Sequence, residues 1–134
     1  MIEITGHPLS PESVIAKVRS STCGCVVTYI GLIRDCSEGK PVLSVEYRDP
    51  DEEATAQLQK IADAAKRQWP ISNMAISHRI GKLNVGEINL VIAVASAHRQ
   101  EGFNACRYAV DQFKQRLPTR KKETYQDGSA KKYE

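Results

Sequence analysis

Apolar positions along the chain recur with two periods, one of two residues and one near 3.6, which together predict short strands interleaved with three helices. Residues 2–5 suit an edge strand. Ser10-Pro11-Glu12 then reads as a helix start, with Ser10 capping and Pro11 at the first helical position, and Val14, Ile15 and Val18 give that short helix an apolar side. Residues 25–33 (CVVTYIGLI) are rich in β-branched side chains and predict a buried strand ending at Arg34, followed by a mobile loop over 35–41. Residues 42–48 alternate into another strand. Over 51–69, Ala54, Leu58, Ile61, Ala62 and Ala65 recur at helical spacing until Pro70 stops the pattern. Strands are expected over 74–80 and 88–95, joined across 81–87 by a turn with two glycines. The third helix opens near Ser96-Ala97-His98-Arg99 and places Phe103, Cys106, Val110, Phe113 and Leu117 on one stripe, until Pro118 ends it.

The resulting order is β-α-β-β-α-β-β-α, followed by a basic tail from about residue 119. Helices interleaved with paired strands predict an α/β (α+β) fold, with helices covering one face of a mostly antiparallel mixed sheet. At 134 residues the chain suits a single domain, 1–134, able to bury a core without disulfides or metal. A content of 41% hydrophobic and 26% charged residues argues against disorder, and the longest apolar run is too short to span a bilayer. Residues 1–10 lack the basic start and apolar core of a signal peptide, so a cytoplasmic protein with no membrane partner is expected. Of the four cysteines only Cys23 and Cys25 are close, and no second pair has zinc spacing. Packed, reduced thiols are therefore expected, with no metal site.

Charge changes this picture more than composition does. The net charge is only +3, but 7 of the 19 Lys and Arg residues lie between Lys114 and Lys132, which suggests an anionic partner or ligand near that end. His98-Arg99 stands at a helix start, where unpaired N–H groups and the positive dipole end favour a phosphate or carboxylate. Lys114 falls near the edge of the third helix's apolar stripe, so its stem can pack while its amine meets a pocket. Lys121 and Lys122 follow Pro118 closely enough to fold back towards that helix end. Consecutive residues of an extended stretch point to opposite sides, so at most one of them joins Lys114. Arg34, at the end of a strand, is a candidate phosphate fork. His78-Arg79 reads instead as a packed histidine beside a surface arginine. From pattern alone, a snorkelling Lys114 and a solvated basic tail remain the commoner readings. The chain has no glycine-rich phosphate loop, GxSxG or HExxH, which disfavours nucleoside-triphosphate chemistry and nucleophilic hydrolysis. It also lacks an aromatic-rich strand motif, so no nucleic-acid partner is expected.

Taken in order, several pieces resemble the large, catalytic subunit family of molybdopterin synthase. They are Gly31-Leu32-Ile33-Arg34, Val45-Glu46-Tyr47, the run His78-Arg79-Ile80-Gly81-Lys82-Leu83-Asn84-Val85-Gly86-Glu87, Ser96-Ala97-His98-Arg99 with Phe103, and Asp111 with Lys114, Pro118, Lys121-Lys122-Glu123 and Gly128. The resemblance implies an α/β hammerhead fold and a homodimer flanked by two copies of a small ubiquitin-like sulfur-carrier subunit, together a heterotetramer. It also implies a sulfurtransferase. Two carriers would be used in turn, each giving the one sulfur of its C-terminal Gly-Gly thiocarboxylate to cyclic pyranopterin monophosphate, forming the dithiolene of molybdopterin in molybdenum cofactor biosynthesis. By motif position, Lys114 resembles the essential lysine beside the thiocarboxylate and Lys121 the second active-site lysine. His98, Arg99 and Arg34 resemble the groups that hold the pterin and its phosphate, with Arg34 reaching across the dimer. No metal or cofactor is expected for the step.

The chain departs from that family at Thr119-Arg120, where a bulky residue and Trp are usual, so an aromatic wall is expected to be missing there. Residues 48–54 are acidic and carry Pro50 and Glu53 where another aromatic and Met-Ala are usual. A second reading keeps the fold but makes the chain a non-catalytic pterin- or carrier-binding protein.

Overall fold

The segment Ile88–Ser96, INLVIAVAS, is apolar at nearly every position, so both of its faces need cover. The computed structural model, which describes residues 1–132, builds the fold around it. Its elements are β1 (Ile2–Thr5), α1 (Pro11–Val18), β2 (Cys25–Leu32), β3 (Cys36–Ser37), β4 (Lys40–Arg48), α2 (Ala54–Gln68), β5 (Ile71–Arg79), β6 (Gly81–Asn84), β7 (Ile88–Ser96), α3 (Arg99–Gln115), β8 (Arg120–Tyr125) and β9 (Ala130–Lys132). One sheet has the order β1-β5-β7-β2, with β1 parallel to β5 and the other pairs antiparallel.

Alternation along β7 decides where the helices go. Leu90, Ile92 and Val94, with Met74 and Ile76 of β5, pack against Leu58 and Ala62 of α2 and Ala105, Ala109 and Phe113 of α3. Val91, Ala93 and Ala95, with Ala75, pack instead against Val14 and Val18 of α1. Helices therefore cover both faces of this sheet, where the sequence predicts one. The small side chains of Ala75, Ala93 and Ala95 give the short α1 room to approach. On α3 the buried stripe is Gly102, Ala105, Cys106, Ala109 and Phe113, and Phe103 is exposed rather than part of it. Gly102 permits close contact, because a Cβ there would lie 2.8 Å from Ser96 Oγ and 3.1 Å from Val27 Cγ2.

The second sheet is centred on β4, which pairs antiparallel with β8, β6 and β3, while β9 joins β8. Ile33, Val42, Val45, Tyr47, Leu83 and Tyr125 form its core. Three expectations change here. Residues 35–41 are a hairpin rather than a mobile loop, with Glu38 and Gly39 at φ 52° and 80°, as a two-residue turn matched to strand twist requires. Residues 81–87 contain a strand, β6, before a tight turn in which the Glu87 N–H donates to the Asn84 carbonyl at 3.1 Å. The basic stretch after Pro118 is no tail, because β8 pairs Lys121 with Tyr47 and Lys122 with Glu46 along β4. Helix α2 starts at Ala54 because the Asp49 carboxylate accepts the N–H groups of Glu53 at 3.1 Å and Ala54 at 3.3 Å. Among the described residues, no helix is long and apolar enough to cross a membrane.

Candidate functional site

A cavity of 270 Å³ opens where the second sheet meets the C-terminal end of α3. Its charged lining is Arg34, just past β2, Lys114 in the last turn of α3, and Lys121 and Glu123 of β8. Phe113 is buried and fixes that turn, which leaves the neighbouring Lys114 exposed at the rim. Strand alternation puts Lys121, Glu123 and Tyr125 on one side of β8 and Lys122 on the other. Glu123 is held from three directions. Its Oε1 accepts from Ser37 Oγ and from the Tyr125 hydroxyl, each at 3.1 Å, and its Oε2 lies 3.6 Å from Lys121 Nζ. Burial and the Glu123 carboxylate push the Tyr125 phenol up, which keeps it a donor. Three cations against one carboxylate make the cavity attractive to anions.

Behind the cavity wall lies a buried polar network centred on His78. Its Nδ1 is 2.8 Å from the Asn89 carbonyl oxygen and its Nε2 is 2.9 Å from Thr119 Oγ1. A carbonyl only accepts, so Nδ1 carries the hydrogen, and Nε2 accepts from the Thr119 hydroxyl. Burial pushes the pKa of His78 down to about 4, which keeps the ring neutral near pH 7. The rings of Tyr47 and Phe113 meet it edge-on, with centroids at 4.9 and 5.0 Å. Asn89 Nδ2 donates to the Tyr47 hydroxyl at 2.8 Å, and burial raises the pKa of that phenol. Tyr47, Asn89 and Phe113 all line the cavity. Thr119 is thus a buried partner of His78, and Tyr47 and Phe113 bring aromatic rings to the cavity lining. Arg79 is not a surface residue. Its side chain is 14% exposed, and its guanidinium donates to Glu87 at 2.7 Å.

His98 and Arg99 lie elsewhere. They line a second cavity, of 710 Å³, with Gly24, Cys25 and Phe103. Arg99 and Lys114 stand at opposite ends of α3, and a rise of 1.5 Å per residue separates them by about 22 Å. The structure therefore brings Arg34, Lys114 and Lys121 together and leaves His98 and Arg99 apart. Arg34 lines the cavity of its own chain. Sequence reasoning missed the roles of Tyr47, Asn89 and Glu123. Reading KKETY as an alternating strand would have placed Glu123 beside Lys121. Among the cysteines, Cys106 is buried, with its thiol pushed up to about 11, but Cys36 is exposed at the cavity rather than packed. Among the described residues, no group of three or more His, Cys, Asp or Glu side chains is placed to hold a metal.

Residues 4–116 match the family described as MoaE protein, a span that includes Arg34, His98, Arg99 and Lys114 and stops short of Lys121. A molybdopterin synthase catalytic subunit from Nostoc sp. is 42% identical over 128 residues, which cover 95% of this chain and 78% of that protein. One from Bacillus subtilis is 38% identical over 126 residues, 94% of this chain and 80% of that protein. The crystal structure of molybdopterin synthase from Staphylococcus aureus superimposes with a TM-score of 0.91 at 31% identity, covering 98% of this chain and 96% of that one. With a family match over most of its residues and relatives this similar across nearly all of its length, the chain belongs to the MoaE protein family.

Proposed function

We propose that the chain is a molybdopterin synthase catalytic subunit, acting as a single domain across residues 1–134 in the cytoplasm. It transfers sulfur from the C-terminal thiocarboxylate of a small ubiquitin-like carrier subunit to cyclic pyranopterin monophosphate. The observation that carries this reading is the gathering of Arg34, Lys114 and Lys121 around one cavity. The chemistry needs what that cavity offers. Forming a carbon–sulfur bond, releasing the carrier's acyl group and opening a cyclic phosphate all require proton transfers and stabilised negative charge. Lys114, at the rim, and Lys121, paired with Glu123, are the proton-transfer groups, and Arg34 holds the phosphate through its planar fork. A Gly-Gly tail has no side chains, which suits entry into a space of 270 Å³. His98 and Arg99 are too far along α3 to touch the same small substrate as Lys114 of their own chain. They serve the cavity of a second copy in a homodimer.

The test is reconstitution. The purified chain is mixed with a thiocarboxylated cognate carrier and cyclic pyranopterin monophosphate, and the dithiolene product is measured. Product formation is expected. Its absence, with a carrier shown to bind, overturns the enzyme reading and favours a protein that only holds pterin or carrier.

A further inference from the structure

We propose that His78 and Thr119 are positioning residues, holding the cavity's lining in register and setting the place of Lys121 through the Thr119–His78 hydrogen bond. This rests on the sulfur-transfer reading above. His78 is not part of the cavity lining, yet the groups that meet its imidazole ring lead there. Tyr47 of β4 and Phe113 of α3 pack edge-on against its ring, and Asn89 of β7 accepts from its Nδ1–H. Thr119 comes after α3 and one residue before β8, two residues from Lys121. One imidazole therefore ties together four segments whose side chains form the cavity.

The direction of the bonds makes the hydroxyl of Thr119 necessary. With Nδ1–H committed to the Asn89 carbonyl, Nε2 is an acceptor, and the Thr119 hydroxyl is its donor at 2.9 Å. His78 is fully buried and Thr119 is 5% exposed, so water is a poor substitute for that donor. An unpaired buried acceptor is costly, and the chain around Thr119 would shift to relieve it. Lys121 would move with that shift. A reacting group displaced by about 1 Å is enough to slow chemistry substantially.

The experiment uses the assembled synthase, with steady-state kinetics of wild type, Thr119→Val and Thr119→Ser. Valine keeps the β-branched shape and loses the hydroxyl, whereas serine keeps the hydroxyl. Thr119→Val is expected to lower kcat roughly tenfold with little change in KM for the cyclic pterin, and Thr119→Ser to restore kcat to within about twofold of wild type. Nitrogen-15 NMR of the imidazole adds a readout independent of turnover. His78 should show a protonated Nδ1, with an Nε2 resonance that shifts in Thr119→Val and returns in Thr119→Ser. An active wild type whose kcat is indifferent to Thr119→Val overturns the positioning role alone, as does a Thr119→Ser enzyme as slow as the valine variant. A change confined to KM also overturns it. A wild type that makes no product overturns the sulfur-transfer reading and the positioning role with it.

Discussion

Replacing His78 tests the buried network through the pH dependence of stability. The ring is fully buried, and its pKa is pushed from an ordinary 6.5 to about 4, chiefly by loss of solvation. As pH falls, the unfolded chain takes up a proton on His78 before the folded chain does, so acid favours unfolding. The stability tied to the neutral ring is fully present above about pH 6.5 and is lost as pH falls towards 4. Linkage gives a loss of about 2 kcal/mol between pH 7.5 and 5, and about 3 kcal/mol once both states are protonated. The carboxyls of Glu38, Glu87 and Asp127 are held below their usual range, so their effects fall mainly at lower pH. Urea denaturation at pH 7.5 and 5 should therefore show the wild-type midpoint falling by roughly 1 M, with an unchanged m-value. His78→Gln, less stable at both pH values, should lose far less between them. A flat wild-type profile, or a His78→Gln variant that loses as much as wild type, would refute the reasoning.

Lys121 and Lys122 project to opposite sides of β8, so steady-state assays should separate them. Lys121→Ala is expected to slow dithiolene formation by about a hundredfold or more, whereas Lys122→Ala stays near wild type. Glu87 accepts the Asn84 N–H at 2.7 Å and the Arg79 guanidinium at the same distance, and these contacts hold its carboxyl below the usual range. Glu87→Ala should lower the urea midpoint at pH 7, and its difference from wild type should shrink in acid as the wild-type carboxyl is protonated.

The elements legible in the sequence are those whose signal is local. Ser10-Pro11 marks the start of α1, and the β-branched run at residues 25–33 marks β2. Alternation over 42–48 marks β4. The second sheet is harder to read because its strands depend on partners distant in sequence. RKKETY is highly charged and has one buried residue, Tyr125, so its extended state comes from pairing with β4 rather than from its own pattern. The placement of α1 on the far face of the first sheet depends on Ala75, Ala93 and Ala95, which lie many residues away. The site divides in the same way. Lys114 is visible at the edge of a helical stripe, and the choice of one lysine from Lys121-Lys122 follows from strand alternation. Closeness in sequence misleads for His98-Arg99, because α3 carries Lys114 about 22 Å away from them. The Thr119–His78 contact joins residues 41 positions apart and leaves no local trace.

The most direct test of sulfur transfer at the Arg34, Lys114 and Lys121 cavity is a single-turnover assay of Lys114→Ala beside wild type. Each is assembled with thiocarboxylated carrier and cyclic pyranopterin monophosphate. Wild type should form the dithiolene, and a folded Lys114→Ala that still binds carrier should form essentially none. Near-normal product from that variant would contradict the placement of the chemistry in this cavity.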